Sequence, residues 1–171
     1  MLDRVKEAMF SSLGEVVTGA RVLDLFAGSG SLGLEALSRG AACVRSIEKN
    51  RRATRTLAQN VGTLGVEESV SVVVGDALDP GSWSASDHGP FDLVFMDPPY
   101  PMVADRAGKR LLLEGLEALG DEALSEDAWI VLHTHPRDLS AEELGEGWEV
   151  ERREYGNTAL WYLQRAQRAS S

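Results

Sequence analysis

Apolar positions along the chain follow two rhythms. Short segments rich in apolar residues at 21–26 ("RVLDLF"), 42–48 ("ACVRSIE"), 70–75 ("VSVVVG"), 91–96 ("FDLVFM") and 128–133 read as strands of a sheet. Between them, apolar residues recur at helical spacing. Residues 3–13 place Val5, Ala8, Met9 and Leu13 on one face, and 106–119 carry a stripe of Leu111, Leu112, Leu116 and Leu119. Segments 31–39, closed by Gly40, and about 50–61, closed near Gly62 or Gly65, predict two further helices, and 140–145 a short one. The stretch 79–90 is rich in Pro, Gly, Ser and Asp and reads as a loop. The C-terminal "WEVERREYGNTALWYLQR" alternates about Gly156-Asn157, which predicts an antiparallel hairpin.

Strand-helix alternation predicts an α/β fold, a mostly parallel Rossmann-like sheet with helices on both faces, in one domain over 1–171 with an N-terminal helix within 1–15. Ligands of such sheets bind beyond the carboxyl ends of the strands. Asp24, Glu48, Asp76 and Asp97 stand at or near the ends of successive strands, so four acids are expected along one edge.

Composition narrows the class. Hydrophobic residues make up 43% and charged residues 26%, as in soluble globular proteins. No apolar run has the length of a membrane span, and the charged N-terminus does not read as a signal peptide, so a cytoplasmic protein without membrane contact is expected. The single cysteine, Cys43, excludes an internal disulfide. A net charge of −10 argues against an indiscriminate nucleic-acid binder, but Arg45, Lys49, Arg51, Arg52 and Arg55 cluster. That cluster reads either as a solvated helix start or as a local patch for phosphates.

"DLFAGSGSLG" (24–33) places Gly28, Gly30 and Gly33 in a G-x-G-x-x-G pattern between strand and helix, with Glu48 twenty residues after Gly28. This suits a nucleotide, with Glu48 on ribose hydroxyls and Asp76 beside an adenine amino group. Asp24, four residues before the first glycine, would repel a pyrophosphate and suit a cationic end, such as the ammonium of S-adenosyl-L-methionine. An NAD(P)-dependent oxidoreductase remains the alternative from the glycines alone.

"FMDPPY" (95–100) ends a buried strand with an acid, two prolines and an aromatic. An exocyclic amino group on a planar base is a poor nucleophile, and its N–H bonds must be held in line with a methyl donor. Asp97 can accept one N–H. The carbonyl of Pro98 can accept the other, Pro98 and Pro99 keep that carbonyl pointing outward because they cannot join a helix or ladder, and Tyr100 offers a stacking face. Motifs of this kind serve guanine, adenine, cytosine and protein amide substrates, so the stretch points to amino-group methylation without naming the substrate.

Taken together, "DRVKEAMFSSL", "DLFAGSGSLGLEALSRGA", "IEKN" and "FMDPPY" resemble the RsmD-type bacterial 16S ribosomal RNA guanine-N2 methyltransferases over nearly the whole chain. The resemblance implies a seven-stranded methyltransferase sheet with a C-terminal antiparallel hairpin. It implies S-adenosyl-L-methionine as cofactor and 16S rRNA, within small-subunit particles or assembly intermediates, as partner of a monomeric enzyme. Carried over, Asp24, Phe26, Ala27, Gly28 and Gly30 line the methionine end, Glu48 and Lys49 the ribose, Asp76 and Ala77 the adenine, and Asp97, Pro98, Pro99 and Tyr100 the target guanine. The resemblance also implies a short basic N-terminal segment before Asp3, where this sequence has only Met1 and Leu2, a departure expected to bear on RNA affinity.

His133 and His135 lie two apart and are expected on one side of the fifth strand, but no third metal ligand is evident. The segments 79–90 and 101–106 flank the expected site as loops that could close over it. A catalytically silent nucleotide- or RNA-binding module is the remaining reading.

Overall fold

The computed structural model describes residues 1–83 and 88–167. In chain order the strands are β1 (Arg21–Leu25), β2 (Cys43–Glu48), β3 (Val70–Val74), β4 (Phe91–Met96), β5 (Leu124–Thr134), β6 (Trp148–Tyr155) and β7 (Thr158–Arg165). They form one seven-stranded sheet in the order β3-β2-β1-β4-β5-β7-β6. Pairings from β3 through β5 are parallel, and β7 pairs antiparallel with both β5 and β6. The mixed sheet with its terminal hairpin is as expected. Gly156 supplies the positive φ that its two-residue turn requires.

The helices are α1 (Asp3–Leu13), α2 (Ser31–Ser38), α3 (Arg51–Leu64), α4 (Pro80–Trp83), α5 (Tyr100–Ala104), α6 (Arg106–Glu122) and α7 (Ala141–Leu144). Both faces of the sheet are covered, which is why β1 and β4 are almost wholly buried. On one face, Leu112, Leu116 and Leu119 of α6 pack with Trp83, Trp148 and Trp161. On the other, Val5, Met9 and Phe10 of α1 meet Phe95 and Tyr162, with the Phe10 and Phe95 rings edge to face at 5.6 Å. Each fully buried side chain of this size contributes roughly 1.5–3 kcal/mol.

Helix α3 runs from an Asn50 side-chain cap on the Ala53 N–H to Gly65 in the left-handed conformation, the later of its two expected ends. Two expectations change. The loop expected at 79–90 contains α4. Pro80 opens it, Asp79 accepts the Gly81 N–H at 3.0 Å, and Trp83 is buried with its indole N–H on the Ala77 carbonyl. Residues 84–87 of that loop lie outside the described residues. Segment 101–106 is not a loop either: α5 begins at Tyr100 and turns at Asp105 into α6, where the Asp105 carboxylate caps the Gly108 N–H at 2.8 Å.

That corner fixes where Tyr100 stands, and Gly108 permits it. A Cβ on Gly108 would lie 2.3 Å from the backbone oxygen of Met102. Gly108→Ala is therefore expected to cost about 1–3 kcal/mol by overpacking, read as a Tm lower by several degrees. An unchanged melting curve would show that the corner gives way freely.

Candidate active site

The site is built by register. Leu25 of β1 pairs with Ile47 of β2 and Met96 of β4, and Met96 pairs with Leu132 of β5. The next residue on each strand is Phe26, Glu48, Asp97 and His133. These four face one cavity of about 300 Å³, whose wall continues through Lys49, Gly75, Asp76 and Ala77 beyond β2 and β3. Pro98, Pro99 and Tyr100 close its other side, with Met1 and Met102.

The glycine loop meets Glu48 directly. Phe26 takes a φ of 59°, unusual for a bulky side chain, and turns the chain out of β1. Ala27 N–H continues the β1–β2 ladder onto the Ile47 carbonyl at 3.0 Å. Gly28 N–H then donates to Glu48 Oε1 at 3.0 Å, and Asn50 N–H donates to Oε2 at 2.8 Å. Both carboxylate oxygens are thus oriented and retain lone pairs for a hydroxyl donor. The three glycines differ in function. Gly28 has a φ of 57° and open space where a Cβ would lie, so a ligand can reach its backbone. A Cβ on Gly30 would meet Leu57 of α3 at 2.2 Å, and one on Gly33 would meet Val44 of β2 at 2.8 Å. Those two allow the loop and α2 to pack down on the fold.

Asp24 does not reach the cavity wall. Its side chain lies beneath the loop, 1% exposed, where Oδ2 accepts the Gly33 N–H at 3.1 Å. Strand alternation turns Asp24 toward α2, and the missing Cβ at Gly33 leaves room for its carboxyl. Loss of hydration pushes this carboxyl up to about 7; the Gly33 N–H opposes the shift, and the charges of Asp97 and Glu48 add to it. Asp76 is exposed at the cavity, its Oδ1 accepting Leu78 N–H at 2.9 Å, and Ala77 behind it is buried.

On the other side, the residues of "DPPY" are brought together with one that the sequence did not link to them. Asp97 Oδ1 lies 2.6 Å from Nδ1 of His133, a residue only 4% exposed. His133 Nε2 lies 3.4 Å from the Tyr100 hydroxyl, and the two rings meet edge to face at 5.7 Å. Pro98 is buried, Pro99 is exposed at the start of α5, and Tyr100 is 49% exposed with its ring available to a ligand. The expectation that His133 and His135 share one side of the fifth strand is not met, because His135 lies beyond the strand. β5 ends at Thr134, and His135 instead accepts the Arg137 N–H at 3.3 Å. Among the described residues no group of three His, Cys, Asp or Glu could hold a metal ion.

The basic cluster loses one member. Arg45 is half-buried, its Nε donating to the Ser82 carbonyl at 2.9 Å. Lys49, Arg51, Arg52 and Arg55 are exposed, and among the described residues none of their side chains has an acidic partner.

A sheet of this order, with its cavity beyond the parallel strand ends, is the methyltransferase fold. The chain superposes on the solved "Putative methyltransferase yhhF from Escherichia coli" with a TM-score of 0.79 at 32% identity, covering 96% of this chain and 86% of that one. Residues 1–164 match the family model described as "Conserved hypothetical protein 95", and the chain belongs to that family. Among curated relatives it is 36% identical over 161 residues to "Putative rRNA methyltransferase YlbH" of Bacillus subtilis, covering 92% of this chain and 83% of that one. It is 40% identical over 133 residues to "Ribosomal RNA small subunit methyltransferase D" of Escherichia coli, covering 77% of this chain and 62% of that one. The family resemblance and the methyltransferase class read from the sequence are borne out.

The raised Asp24 carboxyl makes a prediction about stability. Between its ordinary value of 3.8 and about 7 the native state holds a proton that the unfolded chain has released. Stability therefore falls as pH rises through that window, by about 4 kcal/mol in all. Asp24→Asn keeps an acceptor for Gly33 and carries no charge. Its Tm advantage over the parent should grow from pH 5 to pH 8, and an equal difference at both would show that the carboxyl is not displaced.

Proposed function

We propose that the protein transfers a methyl group from S-adenosyl-L-methionine to the exocyclic N2 amino group of a guanine in bacterial small-subunit 16S rRNA. Its substrate would be a small-subunit particle or an assembly intermediate, met in the cytoplasm by a monomeric enzyme. The observation that carries this reading is the Asp97 carboxylate, anchored on His133 and sharing one cavity with Glu48 and Asp76. The name of the Escherichia coli relative supports small-subunit rRNA as the substrate, although the match spans 62% of that protein. Guanine rests on the resemblance to RsmD-type enzymes.

The residues fit the cofactor. Gly28 leaves its backbone open to close approach, Glu48 presents oriented acceptors, and Asp76 stands at the far wall. Phe26, Ala27, Gly28 and Gly30 would hold the methionine end over the buried Asp24 carboxyl, Glu48 and Lys49 the ribose, and Asp76 and Ala77 the adenine. Bound there, the cofactor supplies an electrophilic methyl group on a sulfonium. The chain's own groups do the rest. Asp97 and the Pro98 carbonyl accept the two amino N–H bonds, Tyr100 stacks the base, and the carboxylate favours the positive charge that grows on the nitrogen. The dinucleotide reading fares worse, because the Glu48 carboxylate already occupies the Gly28 N–H that a pyrophosphate would need.

Lys49, Arg51, Arg52 and Arg55 support a nucleic-acid substrate. They form a cationic strip, without an acidic partner among the described residues, that starts at the cavity wall of an otherwise acidic protein.

Incubation with labelled cofactor and unmodified small-subunit particles should place the label in N2-methylguanosine of 16S rRNA. Label in another nucleoside or in protein would overturn the substrate, and no transfer to any acceptor would overturn the activity. Asp97→Ala should keep S-adenosylhomocysteine affinity and lower transfer by about 100-fold or more. Replacing Arg51, Arg52 and Arg55 together by glutamate should weaken particle binding and flatten its salt dependence, with cofactor affinity unchanged. A binding curve with the parent's salt slope would remove the strip from the interface.

A further inference from the structure

We infer that His133 is a positioning residue for methyl transfer, tying the Asp97 acceptor and the Tyr100 stacking ring into one unit through its two ring nitrogens. The inference rests on the proposed amino-group chemistry for its purpose, and on geometry alone for its existence. The short 2.6 Å contact joins Nδ1 to Asp97 Oδ1, and the 3.4 Å contact joins Nε2 to the Tyr100 hydroxyl.

The hydrogen-bond roles follow from the donor inventory. An ionised carboxylate only accepts, so Nδ1 carries the proton. Nε2 of the neutral ring then holds a lone pair, and the Tyr100 hydroxyl donates to it. One imidazole thereby answers an acceptor on one side and a donor on the other. A lysine or arginine here could not accept from Tyr100 and would neutralise the carboxylate on which the mechanism depends.

The arrangement has two consequences at the cavity. Asp97 is 29% exposed and could otherwise turn about its terminal bond, but the bond at Oδ1 stops that rotation and reserves Oδ2 for the incoming N–H. Tyr100 stands at the exposed start of a five-residue helix, and the His133 contact fixes its ring. The imidazole is itself held from behind. It projects from β5, whose backbone is paired on both sides near this point, Leu132 with Met96 and His133 with Leu160. The next residue, Thr134, is fully buried and accepts the Trp161 indole N–H at 2.9 Å.

In the reaction the amino nitrogen bonds the methyl carbon as the carbon–sulfur bond breaks, and it sheds one proton to Asp97 Oδ2. His133 keeps its Nδ1 proton throughout, so it supplies orientation and no net proton.

Two substitutions separate the halves of this role. Asparagine places its amide N–H where Nδ1 lies and cannot reach Tyr100. Glutamine places its amide near Nε2 and forfeits the donor to Asp97. On whichever acceptor the parent enzyme methylates, His133→Gln should lower kcat by about 10–100-fold with little change in KM. His133→Asn should lose less kcat, by a factor of about ten, and raise the KM for the acceptor instead. Equal losses in both variants, or losses that track Tm, would reduce His133 to packing. A second readout does not depend on turnover: nitrogen NMR of the full chain should find the Nδ1–H tautomer, perturbed by Asp97→Ala. An Nε2–H tautomer would overturn the inference even if the methylated substrate proves to be something else, whereas failure of the parent to methylate any RNA would count against the proposed function and leave the tautomer as the deciding result.

Discussion

Level parallel pairing of β2, β1, β4 and β5 is the constraint on which the site depends. The residue that follows the paired row Ile47–Leu25–Met96–Leu132 on each chain segment is Glu48, Phe26, Asp97 or His133, and so these four emerge side by side. A slip of one residue in β4 would turn Asp97 to the opposite face and expose the apolar set that α1 and α6 cover. The hydrophobic core therefore sets the register, and the register sets the chemistry. Packing and function are coupled here without the core residues touching a ligand.

The same edge concentrates negative charge, and the fold handles its acids differently. Glu48 is held by two backbone N–H donors, Asp97 by an imidazole, and Asp76 by the turn that follows it. Asp24 alone is buried beneath them, its carboxyl pushed up to about 7 by lost hydration and by the neighbouring carboxylates. An edge of this kind favours a ligand that brings positive charge. The cost of gathering these acids is offset by the apolar layers on both faces of the sheet.

Much of this was legible along the chain because it is local. The strand-helix alternation, the Gly156-Asn157 turn and the stretches "DLFAGSGSLG" and "FMDPPY" announce themselves within a few residues, and the structure brings their ends together at one cavity. What was not legible is non-local or cooperative. His133 joins Asp97 only through the β4–β5 pairing, which no spacing in the sequence encodes, so it was weighed with His135 as a metal candidate. Asp24 read as a wall of the cavity because strand position was visible and the side it faces was not. Helices α4 and α5 were hidden by their prolines, which read as loop signals when they in fact stand at helix starts.

The central claim is that this strand-end row divides one cavity between a methyl donor and an amino acceptor. A crystal structure of the protein with S-adenosylhomocysteine tests it most directly. The account predicts the ribose hydroxyls on Glu48, the adenine beside Asp76, and the sulfur facing Asp97 within the same cavity. A ligand seated elsewhere, or one whose sulfur points away from Asp97, would contradict it.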